Sequence, residues 1–139
     1  MDRTTLLKKR ATFKYLLFNW YIFRIFIGMH ITKKNIDRFI NDTKMDCSDR
    51  NITKIDYIPD GIRYLHCGSN KLTELPKLPE NLVYLYCFCN ELTSLPKLPE
   101  SLIKLSCYDN NLPYEVTLDN LKEHNKLIKR KEILKKICV

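Results

Sequence analysis

Leu78–Lys97, LPENLVYLYCFCNELTSLPK, decides the architecture. Moved back by 20 positions it overlays Ile58–Lys77, IPDGIRYLHCGSNKLTELPK, and moved forward by 20 it overlays LPESLIKLSCYDNNL from Leu98, after which the match fades. Self-similarity at a fixed short period marks a stacked array, in which a single unit cannot bury its own apolar side. Around Leu85-Tyr86-Cys87 apolar and polar residues alternate, the signature of a short strand with one face inward. Strands of successive units are expected to stack in parallel, roughly 4.8 Å apart.

Within each unit the pattern is L-x-x-L-x-L-x-x-N-x-L, with Cys in the third apolar slot. Leu82, Leu85, Cys87, Asn90 and Leu92 fill it best; Ile62, Leu65, Cys67, Asn70 and Leu72 precede them, and Leu102, Leu105, Cys107, Asn110 and Leu112 follow. A leading unit keeps Met45, Cys47 and Ile52, but has Asp42 in the first Leu slot and Arg50 in the Asn slot. Asn70, Asn90 and Asn110 are expected to form a ladder that satisfies backbone groups left open at each bend. Cys47, Cys67, Cys87 and Cys107 recur at the repeat length, so each fills the same inward slot as a small apolar residue. Stacked thiols suit a reducing compartment. Cys89 and Cys138 fall outside this series, and no spacing resembles a metal knuckle. The two prolines in Leu-Pro-Lys-Leu-Pro, at 75–79 and 95–99, favour an extended return path, and a 20-residue unit leaves no room for a helix there. The fold class read from this is a leucine-rich-repeat solenoid over residues 45–112. It has short parallel strands and an extended convex side, and is flanked by N-terminal and C-terminal helices.

These units resemble the short leucine-rich repeats of secreted bacterial effectors, a family that includes Yersinia outer protein M and the effector ubiquitin ligases. With Cys in the third slot and Lys/Asn/Ile-rich flanks, they resemble still more the leucine-rich-repeat proteins of giant DNA viruses of amoebae. The resemblance covers about half the chain. It implies a non-enzymatic protein-binding module, viral, in the host cytoplasm, or a substrate-recognition module for ubiquitin ligation that lacks the catalytic domain. Only 27 residues follow Leu112, too few for that domain. A decayed remnant of a longer array is a further alternative.

Charge is uneven. Residues 1–44 carry ten Lys/Arg against three Asp/Glu, residues 45–112 seven against nine, and residues 113–139 seven against four. The basic excess flanks the repeats instead of lining one folded face, so no nucleic-acid partner is expected. Phe13–Ile31, FKYLLFNWYIFRIFIGMHI, is ambiguous. It is long enough to span a bilayer, but Arg24 at its middle costs about 2.5–3.5 kcal/mol on insertion, and Lys14 and Asn19 weaken it further. It reads as a packed helix capping the first coil, as a membrane anchor, or as part of an extension ahead of a true start at Met29. Residues 32–44 show Ile36, Phe39 and Ile40 at helical spacing, with Thr32 as N-cap, and predict a short helix. Residues 113–139 predict a basic amphipathic capping helix over 117–138, started by Thr117 or Asp119, with Leu118, Leu121, Leu127, Ile128, Leu134 and Ile137 on one face; a membrane-surface helix is the alternative.

The outward strand positions form three columns: Tyr64, Tyr84 and Lys104; His66, Tyr86 and Ser106; Gly68, Phe88 and Tyr108. Lys44, Asp46 and Ser48 extend them through the leading unit. Five exposed aromatics on one concave face look like a protein-binding strip, although rings on adjacent strands also stack on each other. Phe88 has no polar tip to justify exposure. His66 has no Ser, Cys or carboxylate at a spacing that suggests catalysis, so no enzyme, cofactor or metal site is expected.

Overall fold

A computed structural model describes the backbone of residues 3–138 and the side chains of these except residues 3, 6, 7 and 20–27. The order of elements is α1 (Arg3–Ile27), β1 (Met29–Ile31), a 3-10 turn (Ile36–Phe39), β2 (Ile40–Asn41), β3 (Lys44–Asp46), β4 (Ile52–Ile55), β5 (Tyr64–His66), β6 (Tyr84–Tyr86), β7 (Lys104–Ser106) and α2 (Leu121–Ile137). The centre is a β-solenoid of about four turns. β3, β5, β6 and β7 pair in parallel, with partners offset by one repeat: Met45 faces Leu65, Leu65 faces Leu85, and Leu85 faces Leu105.

Leu65, Cys67, Leu72, Leu82, Leu85, Cys87 and Leu92 are all fully buried. Leu75, Leu78, Leu95 and Leu98 on the return path are buried too, so the extended side also feeds the interior. No helix or strand interrupts residues 67–83 or 87–103. The proline that ends each return path opens a tight turn: the carbonyls of Pro59, Pro79 and Pro99 accept hydrogen bonds from the amides of Ile62, Leu82 and Leu102 at 3.1, 3.1 and 3.3 Å. That turn reverses the chain into the next strand.

The Asn ladder is present. Asn90 Oδ1 accepts from the Leu72 amide at 3.0 Å, while Nδ2 donates to the carbonyls of Cys67, Cys87 and Phe88 at 3.0–3.2 Å. Asn70 does the same one coil earlier, accepting from the Arg50 and Ile52 amides, and Asn110 one coil later. The residue before each Asn slot, which Arg50 fills in the leading coil, is left-handed: Asp49, Ser69, Cys89 and Asp109 have φ of 54°, 54°, 50° and 51°. The bend is expected from the sequence; its left-handed residue is not. It turns the chain so that the amides of Asp49, Ser69 and Cys89 reach the carbonyls of Gly68, Phe88 and Tyr108 in the next coil.

The N-terminal cap departs from expectation. No α-helix covers residues 32–44; that stretch is a 3-10 turn and a tight hairpin, β2 antiparallel to β3, with Asp42 at φ 54° in the two-residue loop. Residues 29–31, expected within the hydrophobic helix, form β1, which runs parallel to β4. Ile31 and Ile36 are fully buried and close the end of the core. Long-range pairing with Ile52–Ile55 therefore overrides the local helical spacing. The helix itself stops at Ile27, before Gly28 at φ +72°. A side chain on Gly28 would collide with the Thr53 methyl, so the turn into β1 requires glycine. Every described α1 side chain, 4–5 and 8–19, is exposed. Arg24 lies outside the described side chains. No helix among the described residues is long and apolar enough to cross a membrane.

The C-terminal cap is also built differently. α2 begins at Leu121, with Asn120 rather than Thr117 or Asp119 at its N-cap position. The apolar residues split between two faces. Leu121 and Ile128 turn toward the solenoid, whereas Leu127, Leu134 and Ile137 are 40%, 59% and 72% exposed. At 3.6 residues per turn these two sets cannot share one stripe. The helix also docks by polar contacts. His124 is buried and bridges the Tyr114 hydroxyl at 2.8 Å and the Pro96 carbonyl at 3.0 Å, so Nε2 carries a proton and donates it to that carbonyl. The Asn125 side chain accepts from the Leu98 amide and donates to the Leu98 carbonyl, both at 2.8 Å, as a neighbouring backbone would. One local device recurs at both caps. Thr32 and Thr117 donate their amides to Asn35 and Asn120 Oδ1, and these Asn Nδ2 groups donate back to the His30 and Glu115 carbonyls.

Candidate functional site

Strand alternation directs Leu65 and Leu85 inward and leaves Tyr64, His66, Tyr84 and Tyr86 half-buried on the outer face of the five-stranded sheet. Register then sets the columns: Lys44, Tyr64, Tyr84 and Lys104 lie side by side, and Asp46, His66, Tyr86 and Ser106 beside them. All the outward residues expected on this face are brought together there.

The rings lean on one another. Tyr64 lies 5.9 Å from Tyr84 and 5.5 Å from Tyr86, centroid to centroid. His66 meets Tyr86 edge-on at 5.6 Å and Phe88 at 5.5 Å. Phe88 and Tyr108 stack face to face at 5.0 Å. Such pairs contribute about 0.5–1.5 kcal/mol each beyond burial. Phe88 is less exposed than its sequence suggested. It settles over Gly68, where any Cβ would approach its ring edge at 3.0 Å, and Tyr108 covers its other side. Tyr108 is the outermost ring, 59% exposed. Lys44 Nζ sits 4.7 Å from the Tyr64 ring centre, a cation–π contact at the leading edge.

His66 does have a carboxylate neighbour, contrary to the sequence expectation. Asp46 Oδ1 of the preceding coil lies 3.6 Å from His66 Nδ1, because the repeat offset makes positions 20 apart adjacent. The same oxygen accepts from the Ser48 amide at 3.2 Å and hydroxyl at 2.8 Å. Partial burial pushes the Asp46 carboxyl up, but the Ser48 hydrogen bonds, His66 and Lys44 outweigh it and hold the group below the usual carboxylate range. His66 Nε2 is buried without a hydrogen-bond partner, facing Gly68 beneath Phe88. Ser48 and His66 thus both turn toward Asp46 at the leading end of the ring face. The signal for it was present in the offset of Asp46 and His66 by one repeat.

Cys47, Cys67 and Cys87 are fully buried free thiols, and Cys107, in the outermost coil, is half-buried. Burial, reinforced by Asp46, pushes the Cys47 thiol up to about 12, and burial beside neighbouring ladder thiols raises Cys67 and Cys87 as well. Desolvation and Asp109, whose carboxylate lies 3.6 Å from Sγ, raise Cys89. None of these is an activated nucleophile. Among the described residues no cluster of His, Cys, Asp or Glu is arranged to hold a metal ion. Iodoacetamide labelling of the native protein, followed by mass spectrometry, is expected to modify exposed Cys138 first and Cys89 and Cys107 later. Cys47, Cys67 and Cys87 should react only on unfolding; early modification of Cys87 would show that the ladder does not face a closed core.

Compared with known proteins, the chain matches no family model and no curated protein sequence.

Proposed function

We propose that the chain is a non-enzymatic protein-interaction module, a solenoid of the leucine-rich-repeat type that receives a partner on its ring face. Support for the repeat type comes from the buried Leu and Cys slots and from the three-rung Asn ladder at the bend after each strand. The observation that carries the binding reading is the row of partly exposed rings already leaning on one another across three coils. Their side chains have little rotamer freedom left to lose, so a partner docking there meets a preorganised aromatic surface. Aromatic anchors of this kind dominate protein interfaces. Lys44 and Lys104 at the two ends of the outer column favour a partner segment with acidic groups flanking an apolar centre. The stacked free thiols suit a reducing compartment, and we place the protein in the cytoplasm.

The test is affinity capture with the parent and with the Tyr86→Ala/Phe88→Ala pair, using Glu80→Ala/Lys97→Ala on the opposite side as a control. The ring variant is expected to lose specific captured proteins, by at least about tenfold in recovery, while keeping the parent's circular dichroism spectrum. The control should keep them. A parent-like set captured by the ring variant would overturn the assignment.

A further inference from the structure

α1 sits outside everything so far assigned. The solenoid seals its own N-terminal end with Ile31 and Ile36, so the helix is not needed to close the core. Its exposed side chains include Phe13 (63%), Tyr15, Leu16, Leu17 and Phe18. Lys8, Lys9 and Arg10 precede this run, so the helix is basic in its first half and largely apolar after it.

The charge of the helix narrows the partner further. Between Arg3 and Ile27 the sequence holds six cations, Arg3, Lys8, Lys9, Arg10, Lys14 and Arg24, and no Asp or Glu. Two such helices from two copies would repel. A nucleic-acid backbone would satisfy the cations and strand the rings and leucines in water. An anionic lipid surface satisfies both at once: aromatic and aliphatic groups enter the headgroup–acyl boundary, and Lys and Arg stems reach back to the phosphates.

We propose that α1 is a lipid-surface helix that holds the solenoid against an anionic bilayer. It lies in the interface, since no helix among the described residues is long and apolar enough to cross. The repeats carry slightly more acid than base, so the electrostatic attraction comes from the basic flank and leaves the ring face free. The proposal is independent of what the ring face binds.

The single tryptophan, Trp20, lies in this helix and reports on it directly. The full chain is mixed with phosphatidylcholine vesicles containing about 30 mol % phosphatidylserine, a composition typical of an anionic leaflet, and with pure phosphatidylcholine vesicles. Co-sedimentation with the anionic vesicles only, with a blue shift of Trp20 emission that is lost on raising the salt, is the expected result. Lys8→Glu/Lys9→Glu/Arg10→Glu/Lys14→Glu should weaken vesicle binding by at least about tenfold and leave the thermal melt of the solenoid unchanged. Leu16→Ser/Leu17→Ser should abolish the blue shift. Equal binding to both vesicle types, binding without a spectral shift, lipid-free dimers by light scattering, or tighter binding to an RNA duplex than to anionic vesicles would each overturn the proposal.

Discussion

Asn90→Ala is expected to lower stability by about 3 kcal/mol, as an earlier midpoint in urea unfolding followed by circular dichroism. The side chain is buried and bonds four backbone groups from two adjacent coils: the Leu72 amide and the carbonyls of Cys67, Cys87 and Phe88. Leaving one such group unsatisfied costs about 1–3 kcal/mol. Water entering the small space left by the amide would offset part of the total, which is why the four costs do not simply add. Asn90→Asp separates hydrogen bonding from packing. It nearly conserves volume and keeps an acceptor for the Leu72 amide, but it offers no donor and sets a charge against three carbonyl oxygens. It should be at least as damaging as alanine at neutral pH. If both variants unfold at the parent's midpoint, the ladder contributes nothing to stability.

Leu85→Ala should lower stability by about 3–4 kcal/mol. Leu85 is fully buried in β6, with Leu65 and Leu105 as its register partners, so the lost methyl groups leave a cavity that coils on both sides line. Leu105→Ala makes the matching deletion in the last coil, where the residue is only half-buried, and should cost about half as much. The two also differ in kind. A solenoid's stability is close to a sum of unit and nearest-neighbour terms, so damage to an inner coil weakens coupling in both directions, while damage to an outer one frays a single end. The Leu85 variant is therefore expected to show a shallower urea transition. Equal losses at the two positions would mean that burial is not graded along the array.

How far the structure can be read from residues alone depends on where the deciding information sits. Leu65, Leu85, Cys67, Cys87 and Asn90 recur at one spacing, and repetition itself tells which side chains share an interior. The left-handed bend escapes this logic, because Asp49, Ser69, Cys89 and Asp109 share a conformation but not a residue type. The cap over Ile31 and Ile36 escapes it because β1 is fixed by β4, more than 20 residues away, against a local pattern that spells helix. His124 was not singled out at all, because its acceptor is Pro96, 28 positions earlier. Of the six apolar residues that suggested one packing face at the C-terminus, Leu118 precedes α2 and the other five divide between two faces. On the ring face the columns follow from the repeat, whereas the settling of Phe88 over Gly68 depends on the shapes of neighbouring coils. Asp46 and His66 were separately visible, and only stacking brings them together.

β2 folds antiparallel against one end of the sheet, and on the return path of the last coil Asn125 offers Leu98 the pair of hydrogen bonds another strand would have offered. Neither device repeats, so a further copy of the twenty-residue unit fits most readily in the middle, where every junction is the same as the last. Length is consequently the variable that gene duplication can alter most freely in this architecture, and each internal copy would widen the aromatic strip by one strand without rewriting either end.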